Sequence, residues 1–481
     1  MKKLLEKLKG NPYILLVIGT ILPLITIGIV IWVLVSARSA NPQAGPMTPT
    51  INEETVTGDT NTGDQADPGG SVLPGPEDGN ASGIPDVSGD GKEGYGDGNE
   101  DNSVISEGDN EDSPAVDDPG NDTGDGDTDG SVIPAAPADP IDAYISGMTL
   151  HEKVCQMIIA TPASLTGERK PKTAGLLLHN ALTAYPVGGL IFDTGNISSG
   201  DQIRKYLSDA QSLSKTPLIL TLDEEGGRVT RLQTTVGTTQ IGPMYDYHEL
   251  GTGTAYSNAA VIASDIKSYG FNMDLAPVAD VWSNPDNTVI GDRAYSTDYA
   301  EASELVASAV RGFHSQNIPC CLKHFPGHGD SSEDSHYGAV YIYKSLADIK
   351  AEECLPFASG INAGADCVMM GHLIVSELGD DPALFSGTLI QGVLRGELGF
   401  NGIVMTDSLQ MKAMTDYYGV SDIAVRSVGA GCDILLMPSD VPFTVKAIED
   451  AVLAGTIPES RIDESVRRII SLKVKYGIMQ M

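Results

Sequence analysis

The chain has 481 residues, with 65 acidic against 30 basic side chains and a formal charge of −35. That excess of negative charge, with no basic patch, excludes nucleic acid as a natural partner. The length exceeds one ordinary domain, but composition divides the chain unevenly.

Residues 1–38 read as a cytoplasmic basic stub and a transmembrane anchor. Tyr13 to Val35 contains no charged residue, a length that spans a bilayer. Lys2, Lys3, Lys7 and Lys9 precede it and only Arg38 closely follows. The positive-inside bias therefore puts the N-terminus in the cytoplasm and the rest outside, as a single-pass protein of the cell membrane. A cleaved signal peptide is the competing reading; its apolar region is usually shorter.

Residues 39–137 form a Gly/Asp/Pro-rich linker. Over 39–140 there are 24 Asp plus Glu and one basic residue, Lys92, a net −23. Such a segment buries too little apolar surface to offset its chain entropy, so a disordered, self-repelling spacer is expected. Its Asp-Gly runs lack the closing glutamate and flanking helices of an EF-hand.

From 138 to 481, short apolar runs alternate with amphipathic stretches. The candidate strands are Gln156–Thr161, Gly188–Phe192, Leu218–Asp223, Asn272–Ala276, Ile318–His324, Cys367–His372, Gly402–Asp407 and Cys432–Met437. Their continuously apolar character suits a parallel sheet buried on both faces. The clearest helices fall at Ile203–Lys215, Ala255–Tyr269, Tyr299–Gln316, Leu346–Ala363, Val441–Ala454 and Arg461–Tyr476. Strand–helix alternation of this kind predicts an α/β fold, a (β/α)8 TIM-type barrel, with a doubly wound open sheet as the alternative. The six cysteines lie mostly in apolar runs and include adjacent Cys320 and Cys321, so they read as small buried hydrophobes.

A barrel gathers its chemistry at the C-terminal ends of its strands. The third candidate strand ends in Asp223, followed by EEGGRVTR; the fifth ends in Lys323 and His324, the sixth in His372 and the seventh in Asp407. The segment KHFPGHGDSSEDSH, from Lys323 to His336, concentrates titratable groups on a Gly/Pro loop after a strand. Asp407 at a strand end suits a carboxylate nucleophile, or a helix N-cap for LQMKAM. Asp334 is spaced to orient the His336 imidazole, which titrates near working pH, or else caps a turn. Asp223 is placed to accept bonds from sugar hydroxyls. Glu224 and Glu225 read as a solvated turn, and Arg231 and Arg293 as substrate clamps or structural ion pairs. Lys323 and His324 could donate to the same sugar ring. A metal site at His324, His328, Asp330, Asp334 and His336 has no HExxH or CxxC support.

At this point the motifs resemble glycoside hydrolase family 3, in its β-N-acetylglucosaminidase branch. The resemblance rests on KHFPGHGDSSEDSH, LDEEGGRVTRL, APVADVWSNPDNTVIGDRAYS, GHLIV and GFNGIVMTDSLQMKAM, and covers most of 140–478. It implies a retaining, exo-acting hydrolase that needs no metal or organic cofactor. It implies Asp407 as nucleophile, His336 as general acid/base and Asp334 as its partner. Asp223, Arg231, Arg293, Lys323 and His324 would bind the terminal N-acetylglucosamine of a cell-wall or chitin-type glycan. A neutral imidazole acid would also let an anionic acceptor such as phosphate approach. Ser408 stands where relatives often carry a second aspartate. The other readings are a β-glucosidase, β-xylosidase or phosphorylase of the same fold, and an inactive glycan-binding protein. The catalytic domain is expected to be monomeric.

Overall fold

The computed structural model describes residues 139–332 and 338–481. The expected anchor at 13–35 and linker at 39–137 lie outside the described residues. Among the described residues no helix is long and apolar enough to cross a membrane.

All eight expected strands form, shorter than drawn from the sequence. They are β1 (Ile158–Ala160), β2 (Gly189–Ile191), β3 (Ile219–Leu222), β4 (Met273–Asp274), β5 (Cys321–Phe325), β7 (Cys367–Met370), β9 (Ile403–Thr406) and β10 (Leu435–Leu436). Two further strands, β6 (Val340–Ile342) and β8 (Leu373–Val375), pair with each other outside this set.

Parallel ladders run β10-β1-β2-β3-β4 and β5-β7-β9. Parallel bridges join the two groups, Asp274 to Cys320 on one side and Met405 to Ile434 on the other. The Cys321 N–H donates to Ala276 O at 2.8 Å, and the Thr406 N–H to Ile434 O at 3.0 Å. The eight strands therefore close on themselves, which rules out the open doubly wound sheet. Closure leaves no unpaired edge to cover.

A helix follows each barrel strand. They are α1 (Leu176–Ala184), α2 (Gly200–Leu213), α3 (Thr252–Tyr269), α4 (Tyr299–Ser315), α5 (Cys354–Asn362), the π-helical α6 (Thr388–Glu397), α7 (Val420–Ala430), and α8 (Val441–Leu453) with α9 (Glu459–Lys475). Polar caps start several of them: Ser199 accepts from the Gln202 N–H, Asp298 from the Glu301 N–H and Asp440 from the Phe443 N–H. The single helix expected over Leu346–Ala363 is two, Leu346–Ala351 and α5. The break falls at Glu352 and Glu353, where Lys344 holds both carboxylates at 2.8 and 2.9 Å.

The two ends of the barrel differ in chemistry. At the N-terminal end, buried Asp433 receives Arg395 at 2.7 Å and Arg461 and Arg468 at 3.1 Å. Buried Asp366 there receives His314 and Lys475, at 2.8 and 2.7 Å, and the Tyr476 hydroxyl at 2.8 Å. Both aspartates tie the last helix to strand starts. All six cysteines are free and buried, as the apolar runs around them indicate. His314, Cys320 and Asp366 lie close enough to hold a metal ion. The carboxylate there is already satisfied by three donors, and burial pushes the Cys320 thiol well above its usual pKa, away from thiolate.

Candidate active site

The C-terminal end of the barrel opens into a cavity of about 530 Å³. Asp223, Arg231, Arg293, Lys323, His324 and Asp407 all line it. They come from β3, the loops after β3 and β4, β5 and the end of β9, so closure of the barrel brings together residues far apart in sequence.

β5 supplies two adjacent pocket residues. A strand normally sends neighbouring side chains to opposite faces. Here the register against β7 shifts between Leu322 and Phe325. The shift breaks the alternation, and both Lys323 and His324 reach the pocket.

Lys323 is almost fully buried and is held by two carboxylates, Asp223 Oδ1 at 2.8 Å and Glu225 Oε1 at 2.6 Å. Burial alone would push its pKa down, but those two carboxylates hold it above the ordinary lysine value. Asp223 Oδ2 accepts from Arg231 at 3.1 Å. Asp223 is thus oriented through both oxygens and keeps part of its surface toward the cavity.

Glu224 and Glu225 are buried, which corrects the solvated turn expected there. Glu225 grips Arg293 through two bonds, Nε at 2.8 Å and Nη2 at 2.9 Å, as well as Lys323. Burial raises its pKa, yet the two cations win and hold it well below the usual carboxylate range. Glu224 caps the short helix Leu232–Val236, accepting from the N–H groups of Arg231, Leu232 and Gln233 at 2.6–2.9 Å. It thereby fixes the backbone from which Arg231 projects. Gly226 has φ of +95°, and a Cβ there would meet the Met244 side chain at 2.6 Å. The glycine serves close packing of this loop on 241–244.

His324 depends on a residue the sequence reading passed over. Asp280, fully buried in APVADV, accepts from His324 Nδ1 at 2.7 Å and from the backbone N–H groups of His324 and His328 at 3.0 and 2.7 Å. Burial opposes its ionisation, but the histidines beside it hold its pKa below the usual value. With Nδ1 donating to Asp280, Nε2 is the atom left to face the cavity. The signal was an aspartate at the mouth end of the fourth strand unit. His328, also in the pocket wall, is pushed down to about 4 by burial, so it is neutral at ordinary pH.

Asp407 is partly exposed at the pocket floor. Its Oδ1 accepts the Ser408 N–H at 2.6 Å. The following helix starts at Lys412, so Asp407 is not its N-cap. Burial raises the Asp407 pKa, but His372, His324, the Ser408 N–H and Lys323 together bring it below the usual value. It is an ionised carboxylate among fixed positive and polar groups. His372 lies behind it, with Nε2 2.9 Å from Ser408 O. Asp334 and His336 lie outside the described residues.

Three comparisons bear on this arrangement. The model of the glycosyl hydrolase family 3 N-terminal domain matches residues 149–472. Curated relatives include a beta-hexosaminidase of Xylella fastidiosa, 35% identical over 256 residues, 52% of this chain and 76% of the relative. Another, from Idiomarina loihiensis, is 35% identical over 284 residues, 58% of this chain and 84% of the relative. A solved glycoside hydrolase family 3 beta-N-acetylglucosaminidase from Paenibacillus sp. str. FPU-7 is similar with TM-score 0.65 and 34% identity. That match covers 69% of this chain and 63% of the Paenibacillus chain. M tuberculosis LpqI is similar with TM-score 0.62 and 30% identity, over 69% of this chain and 96% of the other.

Proposed function

The chain belongs to glycoside hydrolase family 3, and on that premise we propose that it removes terminal β-linked N-acetylglucosamine from cell-wall or chitin-type glycans. The observation that carries this reading is the convergence of an ionised Asp407 with Asp223, Arg231, Lys323 and His324 around one cavity. The names of the relatives support the choice of sugar.

In this proposal Asp223, ordered by Lys323 and Arg231, accepts bonds from sugar hydroxyls. Arg231 and His324 Nε2 make further contacts to the same ring. Arg293 acts through Glu225, because its guanidinium is taken by that carboxylate. Asp407 attacks the anomeric carbon and forms a glycosyl-aspartate, as in retaining glycosidases. His336, partnered by Asp334, protonates the leaving oxygen and then activates water; this role comes from the motif resemblance. The N-terminal segment, by its charge pattern, anchors the protein in the membrane, and the acidic linker carries the barrel outward.

Two measurements test this. Turnover of p-nitrophenyl β-N-acetylglucosaminide is expected to exceed that of the β-glucoside by about tenfold or more, unchanged by EDTA. Preference for the glucoside would keep the fold and overturn the substrate. His336→Ala is expected to lose about 10²–10⁴-fold on a sugar leaving group and much less on an activated aryl leaving group. Equal losses on both would assign the acid elsewhere.

A further inference from the structure

We propose that three tyrosines beside the pocket, the exposed Tyr343 and Tyr417 and the half-buried Tyr341, form a stacking shelf for the sugar residues that follow the cleaved one. The inference rests on the glycosidase reading above and adds a second binding site to it.

In the reading above, the cavity of about 530 Å³ takes the terminal sugar. The remainder of a glycan must leave across the rim. On one side that rim carries the β6–β8 ladder, which lies outside the barrel sheet. β8 begins directly after His372, whose ring contacts Ser408 beside the Asp407 carboxylate. The ladder thus starts one residue beyond His372, which bonds the pocket residue Ser408.

β6 reads Val-Tyr-Ile and continues into Tyr343. Val340 and Ile342 are buried. By strand alternation Tyr341 and Tyr343 share the opposite face. Their rings are nearly parallel, at 16°, with centroids 6.1 Å apart. Tyr343 is 77% exposed.

Tyr417 approaches from the other direction. Lys412, which lines the pocket, opens the short helix Lys412–Thr415. Tyr417 follows in the next turn, with its N–H on Met414 O at 3.2 Å, and is 61% exposed. The Tyr417 hydroxyl lies 3.8 Å from the Cβ position of Gly338, two residues before β6. The two tyrosine-bearing segments thus meet at the pocket side of the ladder.

Grouped exposed aromatic rings mark ligand surfaces, whereas single exposed apolar residues do not. The exposed Phe443 and Leu453 lie on the outer helix α8. A tyrosine ring offers an apolar face and a polar tip. A pyranose offers the matching pair, an axial C–H face and an equatorial hydroxyl rim. Proximity to a pocket for the terminal sugar makes the following sugars the natural occupant.

The test uses the full chain and chitin-type oligosaccharides of two and five sugars. For the parent, KM is expected to be lower for the pentasaccharide than for the disaccharide. Tyr343→Ala and Tyr417→Ala are expected to raise KM for the pentasaccharide about tenfold, with kcat kept and the disaccharide changed less than about twofold. Tyr343→Phe should preserve the pentasaccharide KM, because the ring remains. Equal KM for both lengths in the parent, or equal losses on both in the variants, would overturn the shelf. If the parent cleaves neither substrate, the glycosidase reading fails by itself. Calorimetric binding of the pentasaccharide then decides the shelf: weaker binding by the two Ala variants supports it, and unchanged binding overturns it.

Discussion

At the residue scale, several cavity residues are held by buried carboxylates. Glu225 fixes Arg293 and Lys323, Asp280 fixes His324, and Glu224 fixes the backbone at Arg231. Two of the groups so held, Lys323 and His324, help to lower the Asp407 pKa. Asp407→Asn keeps the shape and removes the negative charge, so kcat is expected to fall by about three orders of magnitude or more, read by steady-state rates. The Asp407 pKa is held below the ordinary carboxylate value, so the carboxylate is ionised at every pH above that lowered value. The acid limb assigned to Asp407 in the rate of the parent should therefore lie below the usual carboxylate range. A limb well above that range would assign the limiting proton to another group. The motif DEEGG after a strand made Asp223 legible as a cavity residue from sequence. It gave no sign that Glu224 and Glu225 are buried, because burial depends on segments 241–244 and 289–293 folding over them.

At the element scale, eight strands and the six clearest helices were legible from apolar periodicity, while their exact ends and the helices α1, α6 and α7 were not. The strands were drawn long because apolar residues continue past the ladder into the packed core. The β6–β8 ladder was missed because each strand has only three residues and lies outside the barrel sheet. The last helix carries a group with its own consequence. Lys473 is fully buried, with Gln156 Oε1 at 2.7 Å as its bonded partner, and burial pushes its pKa down to about 7. The unfolded chain then binds one more proton between that value and the ordinary lysine pKa, so stability rises with pH across this window. Below it, the folded state carries a buried charge and the cost is fully felt. Lys473→Met is expected to raise Tm at pH 6, by roughly 4 °C, and to have little effect near pH 10. A Tm gain that is the same at both pH values would show that the ammonium is not the cause.

At the scale of the whole molecule, the barrel separates stability from chemistry. Clamps on Asp433 and Asp366 tie strand starts to the last helix at one end. The opposite end keeps its charges around a cavity. The family match begins at 149 and the described barrel unit supplies its own core. Residues 139–481 alone are therefore expected to fold and to retain kcat/KM on the small aryl substrate within about twofold. A large loss on removing 1–138 would give the N-terminal segment a part in the site.

The sequence by itself determined the fold class, the strand ends that bear chemistry, and the family. Periodicity and contiguous motifs are local properties, and they survive without coordinates. Only the tertiary structure decided how the charges around the cavity pair with one another. Arg293 and Arg231 look alike in sequence, yet one is spent on buried Glu225 and the other remains at Asp223 beside the cavity. Asp280 and the tyrosine ladder emerged for the same reason. Their partners lie tens of residues away, and only closure of the barrel brings them into contact.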